Sequence, residues 1–595
     1  MAEDPQELRR INWSECFPFT HLFRTFRLAI HPTKLMLCFA ALLASYGTGR
    51  LLDVIWLAAG QGGAYDEAAK YAFHADFGTW RQQRVEQMEG DLARFMVETG
   101  VADNADDARR DVQRDWKRAG EDVLARLRDR LESATNKEAR QSARSSATAG
   151  LSGEEKNRAE ARFEADWPKQ VASARRQFLE QRDRLQELRP HGVFRELLRH
   201  EWFYGRTALQ AARMGAIVGQ FETITLPGAD RPGELSGILS RRDPASLGVV
   251  GSLLMMAYGF GWLVTQHWLF AIIFLAVSLA IWSILGGAVC RVAAIHVARD
   301  EKISLQKAVR FAWQRKVSTF MAPLLPLGAV VFFGFLLFLG GLIASIPYLQ
   351  AVSGPLLSLG FGFALLVGFI IAVTLVGLVG AGCLMWPTIA VEGSDSFDAI
   401  SRSYSYVFTK PWRTLFYTLV ALCYGAFCYL FITLFTWLLL SATHWFVGLG
   451  TRMLAARPAA GEGLSKIDAL WTAPSFANLR PRFESIYLES APEWMSAILV
   501  MLWVYLLVGL TYAFLVSFFF SGSTIMYFLL RREVDATDLE DVYPDEYEEE
   551  PLAPGPKPTE PAAPTPAEGS DKGPSVPLPV VGGGTTGTPP PEQGP

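Results

Sequence analysis

Long uncharged apolar runs constrain this chain more than any other feature. The runs within 268–290, 319–346, 355–391 and 414–443 each exceed the roughly 18 residues that mark a bilayer-crossing helix. With 595 residues, 50% of them hydrophobic and only 19% charged, and a mean hydropathy of +0.17, a string of soluble domains is excluded. The expected fold is all-α: a polytopic membrane protein of six transmembrane helices.

Span 1 covers about 35–58, and a membrane domain at 247–530 carries spans 2–6, at about 267–291, 319–346, 355–389, 414–440 and 495–530. The stretch 247–264 is 18 residues long and apolar, but Gly248, Gly251, Gly259 and Gly261 weaken it as a span. Charge parity decides its role. The arm 1–34 carries Arg9, Arg10, Arg24, Arg27 and Lys34, and 291–318 carries Arg291, Arg299, Lys302, Lys307, Arg310, Arg315 and Lys316. Both belong on the cytoplasmic side by the positive-inside rule, so an even number of spans separates them and 247–264 is expected to be interfacial or re-entrant. The same parity places Arg402, Lys410, Arg413, Arg531 and Arg532 inside and the uncharged turn 347–354 outside, with both termini cytoplasmic. The arm is too long for a signal-peptide n-region, so span 1 reads as a retained anchor.

It follows that 59–246 is one large extracytoplasmic insertion. Val112, Trp116, Val123, Leu127 and Leu131, and then Phe163, Trp167, Val171, Phe178, Leu185 and Leu188, recur at helical steps, predicting an antiparallel hairpin of coiled-coil character. Helices at 66–98 and 192–214 are expected beside it. Between the arms, 134–153 reads as a polar turn ending in a capping box, Ser152 with Glu155, and Pro168 is expected to kink the second arm.

The formal charge of -4 averages unlike parts. Residues 533–595 hold 14 Asp+Glu against 2 Lys, and the rest of the chain is net basic. The excess base lies beside the apolar runs, so it speaks for orientation rather than for nucleic acid. The acidic stretch after Arg532, followed by 14 prolines between 551 and 595, predicts a disordered cytoplasmic tail over 531–595. Cys16, Cys38, Cys290, Cys383, Cys423 and Cys428 lie in the arm or in or beside apolar runs, which excludes a disulfide framework for the polar regions. The sequon at Asn12 lies in the cytoplasmic arm and reads as chance.

One local design is used three times. Phe19, Leu22, Phe23, Phe26 and Ile30 share a helical face before span 1; Leu305, Ala308, Val309, Ala312 and Trp313 share one before span 3; Phe397, Ile400, Tyr404, Val407 and Phe408 share one before span 5. AVRFAW and AISRSY match at an offset of 91. Basic amphipathic helices of this kind bury an apolar face in the headgroup layer, and three units of interfacial helix plus hairpin would build the membrane domain, the first hairpin interrupted by the insertion. The segment VEGSDSFDAISRSYSYVFTKPWR at 391–413, with DEKISLQKAVRFAW at 300–313 as a second copy, resembles uncharacterised bacterial inner-membrane families, including the membrane domain joined to some glycerophosphodiester phosphodiesterases. That resemblance implies membrane architecture and no activity, since no phosphodiesterase domain accompanies it.

Charged residues within spans normally mark an ion or proton path, and here only Arg50 and Asp53 stand out, three apart near the outer end of span 1. They read as a membrane-embedded ion pair, with a gate or ligand contact as the functional alternative. His267 and His444, beside Trp268 and Trp445, read as interfacial anchors, and His74, His191 and His200 are too scattered to form a site. GxxxxGK[ST], HExxH and GxSxG are all missing, so no nucleotide or common hydrolase chemistry has a residue set. Gly328, Gly334, Gly340, Gly341, Gly360, Gly362, Gly368, Gly377, Gly380 and Gly382 suggest close helix approach or an uncharged path. The expectation is a non-enzymatic protein of a bacterial inner membrane, without cofactor, that anchors a helical extracytoplasmic interaction domain. Its partners would be the lipid bilayer and a protein at the insertion or tail, and the alternative is a transporter or permease component for an uncharged or lipid-like substrate.

Overall fold

A computed structural model describes residues 17–59, 67–71, 76–216, 244–344, 350–454, 466–476, 479 and 491–544. Expectations for Asn12, Cys16, His74, 217–243, the start of the 347–354 turn and 545–595 lie outside the described residues. The chain divides into two units, Met1–Tyr543 and Pro544–Pro595, and every helix below belongs to the first. Among the described residues all extended elements are helices, as lipid requires of chains that must satisfy their own backbone polar groups.

A 3-10 turn at Pro18–Arg24 runs into α1 (Thr25–Ala29), and α2 (Pro32–Ala58) is the first span. The insertion contributes α3 (Glu67–Tyr71), α4 (Phe77–Glu98), α5 (Ala105–Thr135), α6 (Lys137–Thr148), α7 (Glu154–Leu188) and α8 (Val193–Arg213). The membrane domain follows as α9 (Pro244–Gln266), α10 (Trp268–Arg299), α11 (Leu305–Gln314), α12 (Lys316–Ala344) and α13 (Gln350–Glu392). It closes with α14 (Ser396–Thr409), α15 (Pro411–Leu454), α16 (Lys466–Leu470) and α17 (Ala491–Val534).

Among the described residues seven helices are long and apolar enough to cross a membrane: α2, Gly248–Gln266 within α9, α10, α12, α13, α15 and α17. Six are the expected spans. The seventh is the 247–264 stretch, a helix whose first turn is set off by a break at Gly248 (φ 63).

The packing of the spans repeats three times. Helices α10, α13 and α17 pack on one another at the centre, and α2, α12 and α15 pack outside them as the partners of α10, α13 and α17. Each short amphipathic helix docks on the central helix that precedes it in a cyclic order: α11 on α10, α14 on α13, α1 on α17. The N-caps of α11 and α14, Ser304 and Asp395, each accept from the backbone N–H three residues on, and they keep the spacing found in the sequence match. The amphipathic faces differ from the expected ones in what they bury. Leu22, Leu28, Ala29, Ala308, Phe311, Ala312, Ala399 and Tyr406 enter the protein core, whereas Phe397, Trp313 and Phe23 stay exposed. The symmetry is incomplete at α15. The outer helices α2 and α12 also close against the central helix of the neighbouring unit, α17 and α10, but among the described residues α15 does not close against α13.

Close approach explains two of the glycines. A Cβ at Gly377 would collide with the Tyr404 ring, and one at Gly380 would lie 3.0 Å from Val407, so these two admit α14 to α13. Gly328, Gly334, Gly340, Gly341, Gly362, Gly368 and Gly382 face open space and contribute no helix contact of that kind.

The insertion is a helical hairpin with its own core. Leu92, Phe95, Val112, Val123, Leu127, Phe178 and Leu185 are buried together between α4, α5 and α7, the helical face that the sequence periodicity marks. Three details of the expected hairpin change. The 134–153 segment contains α6, started by Asn136, whose side chain accepts from Ala139 N–H. The N-cap of α7 is Gly153 at φ 61 with no side-chain cap, so Ser152 makes no capping box; only glycine takes that backbone conformation without cost. The break in the arms lies in α5 at Asp115, whose carboxylate caps Lys117 N–H and Arg118 N–H, whereas α7 runs as one helix from Glu154 to Leu188.

Candidate functional site

Three places gather polar or cavity-lining groups. The first is the seam between insertion and bundle. Asp53, near the end of α2, is buried, and its two oxygens accept from the N–H groups of Phe194 (2.7 Å) and Arg195 (3.1 Å). It therefore caps the N-terminus of α8 from another helix, where orphan N–H groups and the helix dipole both favour a carboxylate. Arg50 lies 3.6 Å from it with its side chain 45% exposed. The ion pair expected from the sequence is present, but the larger role of Asp53 is to fasten the insertion to span 1. Gly49 makes room for this, since a Cβ there would lie 2.5 Å from the Phe194 ring.

Beside that cap, Glu67 of α3 is buried and receives Arg81 Nε (2.9 Å) and Trp262 Nε1 (3.4 Å), with His267 Nε2 at 3.8 Å. His267 is thus buried at the elbow between α9 and α10 rather than standing as an exposed anchor. His444 is similar: its Nε2 lies 3.2 Å from Asp468 of α16 and 3.1 Å from the Trp471 carbonyl. His200 of α8 bonds the Met255 carbonyl at 2.8 Å. Its neighbour Glu201 has both carboxylate oxygens buried without a hydrogen-bond partner among the described residues, against Gly259 of α9. Burial pushes that carboxyl up to about 7, because an unpaired charge is costly away from water.

The second place is the end of the bundle where the central helices carry Arg291, Glu392 and Arg531, here called the basic end. Arg291 is fully buried and donates to the carbonyls of Ala390 and Tyr543, each at 2.8 Å, while its guanidinium lies 4.3 Å from the Phe311 ring centre. Arg531 pairs with Glu392 (2.7 Å) and with Asp541 (3.0 Å). Residues 535–543 fold back over this knot. Val542 is buried, Tyr543 N–H donates to the Val391 carbonyl, and Tyr406 donates to Asp535, with burial and that carboxylate together raising the Tyr406 hydroxyl. The sequence places the tail boundary at 531. The chain instead stays packed to about 543, because Asp541 and the Tyr543 carbonyl meet the buried Arg531 and Arg291 and Val542 is buried beside them. Lys34, counted among the arm charges in the sequence, is also wholly buried, with Nζ 3.4 Å from Ser521 Oγ.

The third place is an apolar groove of about 890 Å³ where α15 stands off from α13. It extends along α17 from Met526 to Tyr512, roughly 21 Å at ~1.5 Å per residue, and α8 lines it with Trp202, Arg206, Leu209, Gln210 and Ala212. Its size is that of a ligand pocket.

Cys38, Cys290, Cys383, Cys423 and Cys428 are free thiols. Among the described residues no group of three or more His, Cys, Asp or Glu side chains is placed to hold a metal ion. No family model matches this chain, and no curated protein or solved structure matches it.

Proposed function

We propose that this chain is a non-enzymatic membrane protein of a bacterial inner membrane, with both termini in the cytoplasm, whose helical insertion binds or positions a protein partner on the opposite side. The supporting observation is the hairpin itself. It has a separate apolar core between α4, α5 and α7, and it is joined to the bundle by a buried seam, Asp53 to α8 and Glu67 to Trp262. A domain held this firmly is suited to present a surface at a set position.

In this reading α9 does not cross the bilayer. It lies antiparallel along α8, with Val249 N–H bonded to the Ala216 carbonyl and Met255 bonded to His200. The expected topology is therefore six spans with a re-entrant α8–α9 pair, which enters beside Asp53 and reaches Tyr512 midway along α17. A chain in which a Gly/Ser linker replaces 77–189 should insert and purify as a bundle yet fail to complement a knockout; full complementation would contradict the reading.

The groove favours a second reading, a transport or permease component for an uncharged or lipid-like substrate. Reconstituted protein that drives no substrate or lipid movement would count against it.

A further inference from the structure

We infer that Glu201 is a proton-binding site within the membrane: its carboxylic acid holds the α8–α9 pair closed, and loss of the proton opens it. The inference rests on the re-entrant placement of that pair. Glu201 follows the start of α8, capped by Asp53, by roughly 10 Å at ~1.5 Å per residue. The adjacent Trp202 meets Tyr512 of α17 with ring centres 5.8 Å apart. The pair leaves Phe203, Leu253 and Phe260 exposed, an apolar surface suited to lipid.

Both oxygens of this carboxyl are buried without a hydrogen-bond partner among the described residues, and Oε1 lies against Gly259, where a Cβ would be 2.5 Å from it. A charge there goes unanswered. α9 carries no Asp, Glu, Lys, Arg or His, and Tyr258 is its one titratable residue. On α8 the positions one turn from Glu201 are Leu197, Leu198, Tyr204 and Gly205. His200 lies against the same glycine but directs Nε2 to the Met255 carbonyl. The charges of the neighbouring elements are engaged or exposed: Asp53 holds the α8 backbone beside Arg50, Glu67 holds Arg81, Glu196 holds Arg199, and Lys70, Arg195 and Arg206 are exposed. Burial alone therefore raises the Glu201 carboxyl to about 7, where a proton exchanges near neutral pH. Ionisation leaves an unpaired charge that water, or separation of α8 from α9, must relieve.

The test treats full-length protein in phosphatidylcholine vesicles with dicyclohexylcarbodiimide or with a water-soluble carbodiimide, and maps the product by peptide mass spectrometry. A protonated carboxyl adds across a C=N bond of the reagent, its proton passing to nitrogen, and the adduct rearranges to a stable N-acylurea. The expected result is modification of Glu201 by the lipid-soluble reagent alone, falling about tenfold from pH 6 to pH 8 as a group titrating at about 7 ionises. Amide exchange of 249–262, corrected for its intrinsic pH dependence, should report about tenfold more opening at pH 9 than at pH 6. That is the change imposed by a carboxyl at about 7 in the closed pair and 4.5 in the open one. Glu201→Gln should lose both the label and the pH-dependent opening. Modification by both reagents would place α8 in water and contradict the re-entrant reading along with this site. With the water-soluble reagent silent, an unlabelled Glu201 or opening that does not rise with pH would overturn the site alone. Should Glu201→Gln not purify, those two wild-type measurements decide.

Discussion

Charged pairs in the hairpin and at the basic end of the bundle sit in opposite settings. Arg140 and Glu164 pair across α6 and α7 with side chains 50% and 45% exposed, whereas Arg531 and Glu392 pair with 7% and 15%. In the hairpin, water does the sorting: an apolar seam is driven inward and the surface pairs contribute little. In the bundle that force is missing, because lipid solvates leucine as well as another helix does. What then selects one packing is a set of small-residue contacts and buried polar links, Arg291 to Ala390, Glu392 to Arg531, and Gly377 under Tyr404. The two regions of one chain thus answer to different solvents.

The strongest way to break this comparison is at the basic end. Glu392→Ala leaves Arg531 without its nearest carboxylate and should cost about 3–5 kcal/mol, read as a lower unfolding midpoint of the purified protein; a loss below about 1 kcal/mol would show the knot to be incidental. In the hairpin the expected sensitivity is apolar. Leu127→Ala, at a position 2% exposed, should cost about 2–5 kcal/mol while Arg140→Ala costs under about 0.5 kcal/mol, both measured by proteolysis of the insertion.

The seam between the regions should show intermediate effects. Asp53→Ala leaves two buried N–H groups of α8 unpaired and should cost about 2 kcal/mol, whereas Arg50→Ala, removing a half-exposed partner, should cost under about 1 kcal/mol. Equal effects would restore the simple ion pair as the reason for both residues. A separate handle on the seam is the pH dependence of α8. Glu201 has its carboxyl raised from 4.5 to about 7 by burial, so the folded state favours the protonated form. Its contribution is fully present below about pH 4.5 and is lost as pH rises through 7. The unfolding midpoint should fall over that window in the wild type and fall less in Glu201→Gln; parallel pH profiles would remove Glu201 from the account.

Much of the fold was legible in the sequence, and the reasons are physical. Apolar run length marks six of the seven candidate spans, heptad-like recurrence marks the buried face of α5 and α7, and the amphipathic faces at 305–313 and 397–408 mark α11 and α14. What was not legible depends on distant partners. Lys34 reads as an arm charge, yet it is buried against α17 because the chain before it docks there. The acidic run after Arg532 reads as solvated, yet Leu539, Val542 and Tyr543 pack over Arg291 and Arg531. The weak signal was Arg291, a guanidinium at the end of an apolar run without an acid nearby in sequence. Asp53 was singled out for the right chemistry, a carboxylate needing a partner, but local spacing pointed to Arg50 and could not reveal the α8 backbone. The groove left no sequence signal, since it arises from helices that fail to meet.

The most direct test of the central claim, that the insertion lies across the membrane from the tail, is labelling of intact cells with a membrane-impermeant thiol reagent. Single cysteines would replace Ser146 in exposed α6 or Ser575 in the tail, in a chain without its native cysteines. The account predicts labelling at position 146 and none at 575. Labelling at both would put an even number of crossings between them and make α9 a span, and labelling at 575 alone would reverse the orientation; either result contradicts it.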